Sequence, residues 1–130
     1  EEAFGGAASL WEETDLCLRI RRLGGRLRYE PRAWVIHRPH ATGGCRGDRF
    51  REWLYWHAHN SMLYACRHLA AGPRALFTAG RVARFLGFCA EHRDAALFGV
   101  GLRGLGAGRE THRRLAGLSG TAAPAVPPAG

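Results

Sequence analysis

Apolar residues recur at helical spacing over residues 9 to 23, where Leu16, Ile20 and Leu23 follow Trp11. Ser9-Leu10-Trp11-Glu12 has the form of a capping box at the start of this run, and Gly24-Gly25 supplies a stop at its end. The period then changes. Arg26-Leu27-Arg28-Tyr29 alternates polar and apolar, Glu30-Pro31 interrupts it, and Ala33-Trp34-Val35-Ile36-His37 is more continuously apolar, so two short strands are predicted. Arg38 to Gly47, with Pro39 and three glycines, reads as a loop. A long helix rich in aromatic residues is predicted from Asp48, as N-cap, to about Leu69. Gly72-Pro73 breaks it, and Pro73 suits the first turn of a further helix whose apolar set includes Leu76, Phe77, Val82, Phe85 and Leu86. A last, weak helix is expected from about Arg93 to Leu105, loosened by Gly99, Gly101 and Gly104.

Composition sharpens this outline. With 130 residues, 46% of them hydrophobic, the chain can build one small core, and residues 1–115 are expected to hold it. Residues 116–130, dominated by Gly, Ala and Pro, are expected to form a disordered tail. No apolar run reaches the roughly 20 residues that span a bilayer. The first residue is Glu1 rather than Met, so the sequence is expected to be part of a longer one and is silent on targeting.

The formal charge is +8, and all 19 basic residues are Arg. The absence of Lys points first to codon bias in a high-GC genome, while the basic excess, concentrated after residue 65, favours anionic partners. Cys17, Cys45, Cys66 and Cys89 lie far apart without a paired spacing, so reduced thiols in a cytoplasmic setting are expected rather than a disulfide scaffold.

The most informative stretch is Trp11-Glu12-Glu13-Thr14-Asp15-Leu16-Cys17-Leu18-Arg19, followed by Gly24-Gly25, Tyr29-Glu30-Pro31 and Val35-Ile36-His37. In order and spacing it resembles a run of the family 2 nucleotide-sugar glycosyltransferases: an acidic pair, a spacer, Asp-Leu-x-x-Arg, a helix-ending Gly, a Pro between strands, and a strand ending in His. Glu1-Glu2-Ala3-Phe4 resembles the segment that precedes this run in the family. The similarity is strong over residues 1 to 40, weaker through Asn60 and compositional beyond.

The resemblance implies the C-terminal, acceptor-side part of an A-type α/β fold (α+β as an isolated piece), with two short strands followed by two or three helices. The nucleotide-binding half, with its Asp-x-Asp metal motif, would lie outside this sequence, and the chain alone would be inactive. Glu13 maps onto the general base that takes a proton from the acceptor hydroxyl, although the family more often has Asp there. A carboxylate in the first turn of a helix is favoured by the dipole and can accept a proton from a positioned hydroxyl, so the residue chemistry agrees. Glu12 is assigned to capping with a hydrogen bond to acceptor, and Trp11 either to a sugar-stacking platform or to the core. Asp15 and Arg19, four apart, read as an exposed ion pair worth a few tenths of a kcal/mol, with an orienting role as second choice.

By the same resemblance, His37 would complete the site of a divalent cation, Mg or Mn, with the Asp-x-Asp outside the chain. His40, three residues on, falls in the loop. The partners implied are a nucleotide-diphospho-sugar donor and a saccharide or lipid-linked acceptor, as in cell-envelope polysaccharide or glycolipid synthesis. The expected location is the cytoplasm, peripheral at the inner face of the membrane.

Two other classes remain in view. The predicted helix with Arg49, Arg51, Trp53, Tyr55, Trp56, His57 and His59 mixes basic and aromatic residues as single-strand nucleic-acid binders do, but no nucleic-acid motif is present, and none is expected as a partner. Residues 73 to 105 interleave Arg81, Arg84, Arg93 and Arg103 with Phe77, Phe85, Phe88 and Phe98, in the manner of an interfacial membrane helix. Either would make the chain a non-catalytic basic helical module. His37, His40 and Cys45, or His57, His59, Cys66 and His68, lack the paired spacing of structural zinc sites.

Overall fold

The structure is a computed structural model that describes Phe4, residues 11–36 and residues 49–120. Among these residues every regular element is a helix: α1 (Glu12–Arg22), α2 (Phe50–His68), α3 (Ala71–His92) and α4 (Ala96–Gly120).

The expected α/β architecture is therefore corrected, because neither residues 26–29 nor residues 33–36 form a strand. An extended segment is stable only when its N–H and C=O groups meet a partner and one of its faces meets an apolar layer. Among the described residues these segments have no ladder partner, and Tyr29, Trp34 and Val35 are 86%, 78% and 89% exposed. The break between them is a local turn, in which Ala33 N donates to Glu30 O at 3.0 Å and the Glu30 carboxylate accepts from Arg32 Nε at 3.2 Å. His37 lies outside the described residues.

α1 stops where the glycine pair sits. Gly24 N donates to Arg21 O and Gly25 N to Ile20 O, the paired bonds of a Schellman motif. Gly24 takes φ 81°, and a Cβ on Gly25 would strike Ile20, so each glycine serves a different need. At the other end the N-cap is Trp11, in the left-handed region at φ 76°, with no side-chain cap bond; Ser9 of the expected capping box lies outside the described residues.

α2 is the centre of the molecule. Residues 58 to 63 are all buried, so its whole circumference is covered there, whereas an ordinary surface helix hides one stripe. Its main partner is α4, with α3 packed against both. Leu54, Ala58 and Met62 meet Phe85 and Phe88 of α3 and Leu97, Val100 and Leu105 of α4 in one core cluster. Phe85 and Phe88, placed above in a candidate membrane-facing stripe, thus point into the protein. No helix among the described residues is long and apolar enough to cross a membrane.

The glycines expected to loosen the last helix instead set its packing. A Cβ on Gly104 would run into the Tyr55 carbonyl and the Ala58 methyl, and one on Gly108 into the His59 carbonyl. Backbone meets backbone at this crossing, with no side chain able to turn aside. α4 accordingly continues to Gly120, through positions 116–120 assigned above to the tail; residues 121–130 lie outside the described residues. Its start is held by Asp94, whose Oδ1 accepts from Ala96 N at 3.0 Å and whose Oδ2 accepts from Arg51 Nη2 at 2.6 Å. The Arg51 hydrogen bond is the leading reason that the Asp94 carboxyl sits below its usual range.

Two substitutions on α4 separate helix propensity from packing. Gly108→Ala is expected to lower stability by about 1–3 kcal/mol in denaturant unfolding, because the added methyl overpacks a backbone contact. Gly106→Ala, with nothing within 4 Å of its Cβ position, is expected to raise stability by up to about 1 kcal/mol through propensity alone.

Candidate functional site

The first turn of α1 carries the residues singled out in the sequence. Glu12 and Glu13 are exposed, and both project from a helix end whose free N–H groups favour negative charge. Trp11 turns inward: its Nε1 donates to Ser61 Oγ at 3.0 Å, its ring stacks on Tyr64 with centroids 4.7 Å apart, and Phe77 meets it edge-on. Trp11 is half-buried, with one ring face stacked on Tyr64. Its left-handed backbone costs on the order of 1–2 kcal/mol, which the contacts of the half-buried indole with Ser61, Tyr64 and Phe77 offset.

Asp15 is where the structure departs most from its expected surface pairing with Arg19. It is 3% exposed. His68 Nε2 donates to Asp15 Oδ1 at 2.7 Å, and Arg67 Nη1 lies 3.3 Å from Oδ2. Arg19 stays at 3.8 Å with most of its side chain in water. The reason is that α1 lies against the C-terminal end of α2, which brings two cation-capable side chains from over fifty positions away closer than the helical neighbour. A buried carboxylate needs such partners to offset its lost hydration.

These residues wall an open recess of about 400 Å³, lined by Asp15, Arg19, Arg22, Arg67, His68 and His112. Arg67 also lies over the Phe4 ring at 5.3 Å. Burial first, then the charges of Arg67 and Arg74, hold the His112 imidazole below its usual pKa. Arg22, Arg67 and His112 were not singled out in the sequence, and His68 was weighed there only within a zinc set, because no local spacing links Arg67-His68 to α1 or to His112.

One polar contact inside the molecule ties α2 to α4. His59 Nδ1 donates to Asn60 Oδ1 at 2.8 Å, which leaves Nε2 to accept the Thr111 hydroxyl at 3.0 Å. On the α3 side, His57 stacks on Trp53, and Arg81 Nη1 donates to His57 Nε2 at 3.4 Å. Burial, and secondly the Arg81 charge, bring the His57 pKa down to about 4 from 6.5. The aromatic residues of α2 are thus engaged with one another and with α3: Phe50 stacks on Trp53 and His92, and Tyr55 meets Trp56 edge-on.

Three cysteines, Cys17, Cys66 and Cys89, are free thiols, and Cys45 lies outside the described residues. So do His37 and His40. Among the described residues no group of three or more His, Cys, Asp or Glu side chains could hold a metal ion.

Fold and recess together define a small protein whose described regular elements are all helices, with a cationic hollow beside the first of them. The chain matches no protein-family model, no curated protein and no solved structure.

Asp15→Asn is expected to cost roughly 2–4 kcal/mol, somewhat under the range for breaking a fully buried pair because Arg67 keeps some solvent contact. Arg19→Ala should change stability by only about 0.3–0.5 kcal/mol, so chemical denaturation of the two variants tests which pairing matters.

The histidine on the other side of α2 makes stability depend on pH. The unfolded chain protonates His57 near 6.5 and the folded chain only near 4, so between those values the unfolded state binds more protons. Stability should therefore fall as pH drops through that window, and His57→Phe should flatten the fall when melting temperatures of parent and variant are compared across it.

Proposed function

We propose that this chain supplies the acceptor-side general base of an inverting nucleotide-sugar glycosyltransferase. The proposal rests on the run from Trp11 to Arg19 and on one observation of geometry: the first turn of α1 presents Glu12 and Glu13 to solvent, while Trp11 and Asp15 on either side of them are tied into α2. A base must be held still relative to its substrate, and this turn is anchored at both flanks. The A-type fold is no part of the proposal; what is retained is the helix and its acids.

In this scheme Glu13 accepts the proton of an acceptor hydroxyl as that oxygen attacks the anomeric carbon, from the side opposite the departing nucleoside diphosphate, so that configuration inverts. Glu12 accepts a hydrogen bond from a neighbouring hydroxyl of the acceptor. Trp11 acts as a positioning residue for both. A divalent cation, Mg or Mn, would supply countercharge to the leaving diphosphate; its one proposed ligand in this chain, His37, lies outside the described residues. The donor pocket belongs to sequence beyond this chain. The acceptors that fit the proposal are saccharide or lipid-linked hydroxyls at the cytoplasmic face of a membrane, in envelope polysaccharide or glycolipid synthesis.

Glu13→Gln in the full-length gene product is expected to lower kcat by about two to four orders of magnitude, with donor KM and melting temperature unchanged because the side chain is exposed. Unaltered turnover in that variant would overturn the assignment.

A further inference from the structure

The recess beside α1 is a feature that the transferase proposal leaves unused. Successive helix residues are about 100° apart, which puts Glu13 nearly opposite Asp15 and Arg22 around α1. The recess therefore does not face the carboxylate assigned to proton transfer. Its lining is dominated by cations: Arg19, Arg22 and Arg67 surround a single carboxylate, Asp15, whose oxygens are already taken up by His68 and Arg67. Arg22 has no ion-pair partner among the described residues, and the His68 side chain is 2% exposed with its Nδ1 unpartnered.

We propose that this recess binds a diphosphate group. Guanidinium forks match phosphate oxygens in pairs, and Arg is the side chain suited to that geometry. Three arginines against one carboxylate leave an excess of positive charge, which favours the multiple negative charge of a diphosphate over the single charge of a phosphodiester. The volume of about 400 Å³ is within the range of small-ligand sites and admits two linked phosphates, and the recess opens to solvent, so a substituent on the diphosphate can extend outward. His68 and His112 on the wall add hydrogen-bonding nitrogens. The same diphosphate chemistry is available from a lipid-linked headgroup or from a soluble molecule.

The test titrates the chain with inorganic pyrophosphate by calorimetry at low salt, in the parent and in Arg22→Ala, Arg19→Ala and Arg103→Ala. Arg22 and Arg103 are both exposed, and Arg103 lies on α4 outside the recess, so the last variant removes the same charge elsewhere. Saturable binding is expected in the parent, weakened about tenfold or more in Arg22→Ala, as befits loss of a charged hydrogen bond, weakened also in Arg19→Ala, and unchanged in Arg103→Ala, with all melting temperatures alike. Absence of saturable binding in the parent overturns the proposal, and so does equal weakening in Arg22→Ala and Arg103→Ala, which would mark a diffuse charge effect. Flotation with phosphatidylcholine vesicles containing diacylglycerol pyrophosphate then separates the sources. Recruitment that pyrophosphate competes away assigns the site to a lipid headgroup, and pyrophosphate binding without recruitment assigns it to a soluble ligand; both support a diphosphate site.

Discussion

The carboxylate of Asp15 is the interaction on which the placement of everything at the N-terminal end depends. α1 meets the helical core through little more than its first turn, where Trp11 reaches Ser61 and Tyr64 and Asp15 reaches Arg67 and His68. A carboxylate this deeply buried needs donors to offset its lost hydration, and Arg67 and His68 of α2 supply them in the orientation that α1 takes. That orientation leaves Glu12 and Glu13 outside and Arg19 and Arg22 on the rim of the recess. The ion pair thus acts mainly as a register device, positioning the acids and the cations that the proposed chemistry uses.

A second constraint comes from placing a polar helix at the centre. α2 carries His59, Asn60 and Ser61 in succession, all buried, so each needs a hydrogen-bond partner. Thr111 of α4 meets His59 and Trp11 of the α1 turn meets Ser61, which ties the two sides of the molecule to the same few residues of α2. The close crossing of α4 at Gly104 and Gly108 is what brings Thr111 near enough to do so, since any side chain there would hold the helices apart. The backbone contact and the polar contact support each other.

The site was partly legible. The acids at positions 12 and 13 could be placed on a helix N-terminus from the spacing of Trp11, Leu16, Ile20 and Leu23, and α1 does begin at Glu12. The exposure of both acids agrees with a role toward solvent. Asp15 was not legible, because a four-residue separation from Arg19 looks complete as a local pair and hides the stronger partners 52 and 53 positions away. The recess was invisible for the same reason, since its lining comes from α1, α2 and α4.

What the sequence by itself determined is the local part: four helices, the glycine pair that ends α1, and the turn at Glu30 to Ala33 all follow from the preferences of adjacent residues. Tertiary structure decided whatever needs a distant partner. The alternation in residues 26–29 carries a strand's pattern, yet pattern supplies only one side of a ladder, and no neighbour among the described residues provides the other. The glycines of α4 read as weak points until α2 lay against them, where the missing Cβ atoms became the contact. Helix signals are complete within a few turns of chain, because each hydrogen bond closes four residues away. Strand pairing, buried ion pairs and close helix crossings are made between segments far apart in sequence, so their outcome depends on which surfaces the fold brings together.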